Sequence, residues 1–195
     1  MFLKKSGQFF KKTIKIFVLK YNLCYYHVNN TIFKEFHLVN FLFLLISVGV
    51  VGLDQLTKWL LYGKSFSLLG NFLWIESSFN TGAAFSMMSG AQLFFIIVAS
   101  IASVVMIYLI CTKCIEFSRF SRVSMALVLG GALGNLIDRI FLGGVRDFIY
   151  FKSINFAIFN IADTFVTVGC VLLVISLVIS AINSYKKGDK NGTPN

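Results

Sequence analysis

Two stretches of the chain, Leu93 to Cys111 and Thr164 to Ile182, carry no charged side chain over the length a helix needs to cross a bilayer, about 20 residues. Two more, Val39 to Leu53 and Val123 to Ile137, stay apolar until their far ends, where they run into Asp54-Gln55-Leu56-Thr57-Lys58 and Asp138-Arg139. The pattern predicts four spanning helices at about residues 39–61, 92–111, 122–142 and 162–182. The single proline, Pro194, lies in the tail, so no span is kinked by proline. Between the first two spans, residues 64–80 alternate in part, as in Phe72-Leu73-Trp74-Ile75, with Gly63, Gly70 and Gly82 nearby. This segment reads as a short β platform.

Composition agrees with a membrane solvent. Of 195 residues, 57% are hydrophobic and 13% charged, more apolar surface than one soluble core can bury. The formal charge of +10 resembles a nucleic-acid footprint until the basic residues are placed. With the N-terminus inside, thirteen of the eighteen Lys and Arg fall on the cytoplasmic side: the arm before the first span, the connection holding Lys113, Arg119 and Arg122, and the tail. Lys58, Lys64, Arg139, Arg146 and Lys152 are left outside. That is the positive-inside bias of an N-in, C-in membrane protein, and it argues against a nucleic-acid partner.

The expected organisation is a basic extension at residues 1–38, a membrane domain at 39–183 and a polar cytoplasmic tail at 184–195. No small-residue cleavage site follows the first apolar run, so it reads as an uncleaved span rather than a secretory leader. The arm is either an amphipathic segment lying on anionic lipid through Phe9, Phe10, Phe17, Tyr25 and Tyr26, or an extension without a role. Cys24, Cys111, Cys114 and Cys170 form neither a disulfide framework nor a convincing metal set, and His27 and His37 have no carboxylate cluster beside them. No metal or cofactor is expected. Four helices suffice for a monomer.

The polar groups of the spans gather at one depth. Asp54 lies near the outer end of the first span, Asn135, Asp138 and Arg139 near the outer end of the third, and Asn160 and Asp163 at the start of the fourth. Asp147 lies in the outer connection between the last two. Asn135, Asp138 and Arg139 stand at i, i+3 and i+4, the spacing of one helix face. Asp138 with Arg139, and Asp54 with Lys58, read as ion pairs that steady helix ends, while Gly130 and Gly134 form a small-residue patch for helix packing. Asp147 and Asp163 have no such helical partner beyond the adjacent Arg146. Two carboxylates near a low-dielectric boundary share a proton, which equips one as base and the other as acid.

Five blocks stand in order along the chain: Asp54-Gln55-Leu56-Thr57-Lys58, Asn80-Thr81-Gly82-Ala83-Ala84-Phe85, Gly134-Asn135-Leu136-Ile137-Asp138-Arg139, Val145-Arg146-Asp147-Phe148 and Phe159-Asn160-Ile161-Ala162-Asp163. In sequence and spacing they resemble the motifs of the lipoprotein signal peptidases (signal peptidase II), over residues 39–183. The resemblance implies an all-α membrane protein, a four-helix bundle with a small extracytoplasmic β platform and a short outer lid at about residues 148–157. It implies an aspartyl endopeptidase of the bacterial inner membrane that removes signal peptides from diacylglyceryl-modified prolipoproteins just before the lipid-bearing cysteine. Asp147 and Asp163 fall on the catalytic positions. Asn80, Gly82, Asn135, Asp138, Arg139, Asn160, Asp54 and Lys58 fall on the supporting polar shell, and the partners implied are the prolipoprotein and membrane lipid. The N-terminal extension departs from the family pattern, which has few residues before the first span.

Without the resemblance, a small transporter or channel subunit, a metal-dependent lipid-modifying enzyme and a structural assembly factor remain open. A proton relay strings its acids through the depth of the membrane, whereas these collect at one surface.

Overall fold

Each apolar run folds as one unbroken helix. The computed structural model describes residues 38–82, 90–112 and 117–190. Its helices are α1 (Leu38–Leu61), α2 (Gln92–Cys111), α3 (Arg119–Leu142) and α4 (Ile161–Lys190). All four are long and apolar enough to cross a membrane, and a helix satisfies its own backbone hydrogen bonds where no water can. α3 starts three residues before the expected position 122, because the Ser118 hydroxyl caps it by accepting from the Ser121 N–H. Gly143 ends it at φ +76, in the left-handed region. α4 runs past the expected end at 182, since the next proline is Pro194. The N-terminal arm with Cys24, His27 and His37, the block residues Ala83 to Phe85, the Lys113 and Cys114 pair and the end of the tail lie outside the described residues.

Packing is inverted relative to a soluble protein. Large apolar side chains such as Val48, Leu93, Ile101, Val104 and Val174 point outward, while Asp54, Lys58, Asp138 and Asn160 are fully or almost fully buried. α3 is the central helix, with 50% of its most apolar stretch buried against 22% for α1 and 11% for α2 and α4. Small residues let the others approach it. A Cβ on Gly134 would stand 2.6 Å from Asp54 Oδ2, and one on Gly131 would meet the Ala162 carbonyl and stand 2.7 Å from Val166 Cγ2. The expected packing patch is therefore real and wider than Gly130 and Gly134, since Gly131 serves the α4 side. Gly131→Ala is expected to push the first turn of α4 outward and cost about 1–3 kcal/mol, read as a lower melting temperature in detergent.

The end of the bundle away from the sheet is closed by an apolar cluster of Phe43, Ile110, Met125, Ala126 and Leu129. There the Arg122 guanidinium donates to the carbonyls of Ile110 and Thr112, meeting the negative C-terminal end of the α2 dipole with a positive charge.

At the opposite end sits a three-stranded antiparallel sheet in the order β1 (Ser65–Leu69), β2 (Leu73–Asn80), β3 (Val145–Phe151). The β1–β2 hairpin is the expected platform. The expected outer lid is divided: its first residues, Phe148 to Phe151, belong to β3, which pairs along β2 from Asn80↔Val145 to Leu73↔Phe151, and a 3₁₀ turn at Lys152–Ile154 and the returning segment form the rest. The physical reason is that β2 offers an open edge, and Val145 to Phe151 is rich in the branched and aromatic residues a strand favours. After the turn the chain folds back, and Phe159 exchanges backbone hydrogen bonds with Ile149.

Candidate active site

The site begins with a helix cap. Asn160 precedes α4, and its Oδ1 accepts the Asp163 N–H at 2.9 Å, while Asp163 Oδ2 accepts the Asn160 N–H at 3.2 Å. This reciprocal capping box explains the Asn-x-x-Asp spacing by itself. It also fixes Asp163 at the N-terminal end of a helix, where the macrodipole favours a negative charge.

The same Asn160 side chain reaches the second carboxylate. Its Nδ2 donates to Asp147 Oδ1 at 2.6 Å and to Asn135 Oδ1 at 3.0 Å. Asp147 comes from β3, where strand alternation turns Val145 and Asp147 toward the cleft and Arg146 away from it. Asn80, at the end of β2, donates to Asp147 Oδ2 at 3.1 Å, and Asn135 of α3 donates to Asp163 Oδ1 at 2.7 Å. All four carboxylate oxygens thus face an N–H donor. Burial, and after it the charge of Asp163, pushes the Asp147 carboxyl up to about 6, against the lowering effect of Asn80, Asn160 and Lys58.

Both carboxylates open onto a cleft of about 560 Å³. Its polar wall includes Asn80, Gly82, Asn135 and Arg139, and its apolar walls include Phe95 of α2, Phe156 to Phe159 of the returning segment and Val168 of α4. Within that wall Arg139 donates to the Gly82 carbonyl at 3.1 Å, with its guanidinium carbon 5.0 Å from the centre of the Phe95 ring.

Beneath the cleft lies a buried layer whose Asp54, Lys58 and Asp138 do not line it. Lys58 Nζ is 2.8 Å from Asp54 Oδ2 and 3.6 Å from Asp138 Oδ2, and it donates to Asn135 Oδ1 at 2.9 Å. Asp54 Oδ1 accepts the Ala162 N–H in the first turn of α4. Asp138 accepts from the backbone and guanidinium of Arg146, and Gln55 joins Asp138, Asp54 and Arg146. Asp54 therefore anchors the element that carries Asp163, and Asp138 the strand that carries Asp147.

Residues 46–179 match the sequence profile of a family described as signal peptidase (SPase) II. The chain belongs to that family. It is 38% identical over 144 residues to a lipoprotein signal peptidase of Halalkalibacterium halodurans, covering 70% of this chain and 92% of the relative. Two solved structures described as bacterial membrane enzymes resemble it. One, at 2.3 Å resolution, has TM-score 0.66 and 38% identity over 72% of this chain and 90% of the other. The second, at 1.9 Å, has TM-score 0.62 and 39% identity over 69% and 91%.

In this signal peptidase II chain the residues singled out from sequence do not all face one way. Asn80, Gly82, Asn135, Arg139, Asp147 and Asp163 line the cleft, and Asn160 lies immediately behind it. Asp54, Lys58 and Asp138 lie in the buried layer. The Asp54–Lys58 pair forms as expected, one helical turn apart. The expected Asp138–Arg139 pair does not. Asp138 pairs with Arg146 at 2.8 Å while Arg139 faces the cleft, because adjacent helical residues point about 100° apart. Gln55 and Arg146 carry no such signal in the sequence, since no helix-spacing rule links them across 91 positions.

Proposed function

We propose that this signal peptidase II chain is an intramembrane aspartyl endopeptidase, with Asp147 and Asp163 as its catalytic pair, acting on diacylglyceryl-modified prolipoproteins of the bacterial inner membrane. The observation that carries the reading is the pair itself: two carboxyl groups opening onto one cleft and bridged by one asparagine, Asn160. Cleavage falls just before the lipid-bearing cysteine, and the cleft faces the outer side of an N-in, C-in protein. The positive-inside distribution of Lys and Arg supports that orientation.

Asp147 holds the shared proton and Asp163 is the carboxylate. Asp163 takes a proton from a water whose oxygen bonds to the scissile carbonyl carbon, while Asp147 gives its proton to the carbonyl oxygen. As the tetrahedral intermediate collapses, the proton now on Asp163 passes to the leaving nitrogen, the C–N bond breaks, and Asp147 recovers its proton from the hydroxyl. Arg139 and Asn80 in the polar wall suit the substrate backbone, and the aromatic returning segment shields the bond from bulk water. The amide donors around all four carboxylate oxygens suit proton transfer better than a divalent cation, which takes bare oxygen ligands.

The reading is tested by the mass of the released product from a purified diacylglyceryl-modified precursor, with and without chelator. A product starting at the lipid-bearing cysteine in both is expected. Chelator-sensitive cleavage, or cleavage elsewhere, refutes it. The pH profile gives a second check. Asp147 must be protonated to act, so the basic limb of kcat/KM is expected near the value of about 6 for the open cleft. Bound substrate excludes water and raises that carboxyl further, so the basic limb of kcat lies at higher pH.

A further inference from the structure

Asn135 lines the cleft while its side chain is gripped from the buried layer. Its Oδ1 takes two donors, Lys58 Nζ at 2.9 Å and Asn160 Nδ2 at 3.0 Å. An ammonium has three donors and no acceptor, so the amide oxygen must face Lys58. The amide nitrogen is then forced toward Asp163 Oδ1, 2.7 Å away. The reversed amide would set its nitrogen against two donors and its oxygen against a carboxylate.

We infer that Lys58 is a positioning residue of the reaction: by holding the Asn135 amide in one orientation, it keeps an N–H aimed at Asp163 and so holds that carboxyl group in its place in the cleft. This rests on the aspartyl reading above. Lys58 is fully buried and does not line the cleft; its hydrogen-bonded contact with the pair runs through Asn135, and its charge also reaches Asp147. The other charged groups facing the pair are Arg139 from α3 and each carboxylate from the other, with Asp54 and Asp138 below. α2 and the 83–89 segment carry no charged residue.

The obstacle to a test is that removing Lys58 leaves Asp54 buried without its cation, which is destabilising whatever Lys58 does in catalysis. Lys58→Met is therefore combined with Asp54→Asn, whose amide oxygen can still accept the Ala162 N–H. Asp54→Asn alone is the control, and all variants are assayed on the diacylglyceryl-modified precursor. In the double variant kcat is expected to fall on the order of tenfold with KM unchanged. Asn135→Ala is expected to reproduce that fall, and adding Lys58→Met and Asp54→Asn to it to change kcat no further.

A wild-type kcat in the double variant, or an effect that multiplies with that of Asn135→Ala, overturns the inference. Asn135→Ala keeps the Lys58–Asp54 pair, so if the double variant is not recovered folded, a wild-type kcat in Asn135→Ala overturns it alone. Asp163→Asn is run alongside: a wild-type rate there refutes the aspartyl reading itself, an outcome distinct from an unaltered Lys58 variant.

Discussion

Asp147→Asn and Asp163→Asn are each expected to lower cleavage by on the order of 10⁴-fold or more, the upper range of what a positioned acid or base contributes, while the protein still inserts and folds. The substitutions keep shape and remove the titrating group. Their structural cost is small and local. An amide at 147 sets one NH2 against an NH2 of Asn80 or Asn160, and an amide at 163 does the same against Asn135 or the Asn160 N–H. One lost hydrogen bond of this kind is worth about 1–3 kcal/mol, a lower melting temperature rather than an unfolded chain. Reduced rate with near-normal folding is thus the signature of the pair, measured by single-turnover cleavage beside a thermal melt.

The second large effect is expected at Asn160, which is fully buried and serves both carboxylates. Asn160→Ala removes the cap of α4, worth about 0.5–2 kcal/mol, and frees Asp147 and Asn135 from a shared donor. A misplacement of the pair by about 1 Å costs on the order of 10²-fold in rate. Asn160→Ser separates the two roles. Serine can cap the helix but is too short to bridge, so stability is expected to return toward wild type while the rate stays low. Recovery of both by serine would show that Asn160 is only a cap.

Much of this architecture is legible in the sequence, and the reasons differ from element to element. Charge-free runs of spanning length fix α2 and the body of α4, because hydrocarbon leaves a backbone few alternatives to the helix. The gathering of Asp54, Asn135, Asp138, Asn160 and Asp163 at one depth is visible once the spans alternate in direction. The Asp54–Lys58 pair is readable because both residues ride on one helix, where a separation of four sets the contact.

The partner of Asp138 is not readable in the same way. Arg146 reaches it only after the chain turns at Gly143 and enters a strand, so that residues eight positions apart meet through three hydrogen bonds. Helix spacing offered Arg139 in its place. The strand β3 was hidden for a related reason: its apolar, aromatic residues suit a lid as well as a strand, and only the open edge of β2 decides between them. The double duty of Asn160, cap and bridge, needs both α4 and β3 in place before it can be seen.

The most direct measurement is a gel-shift assay of a purified diacylglyceryl-modified prolipoprotein incubated with wild-type enzyme, Asp147→Asn and Asp163→Asn at equal folded concentration. Complete conversion by wild type with an unshifted precursor in both variants is the predicted result. Conversion by either variant at the wild-type rate would contradict the assignment of these two carboxyl groups.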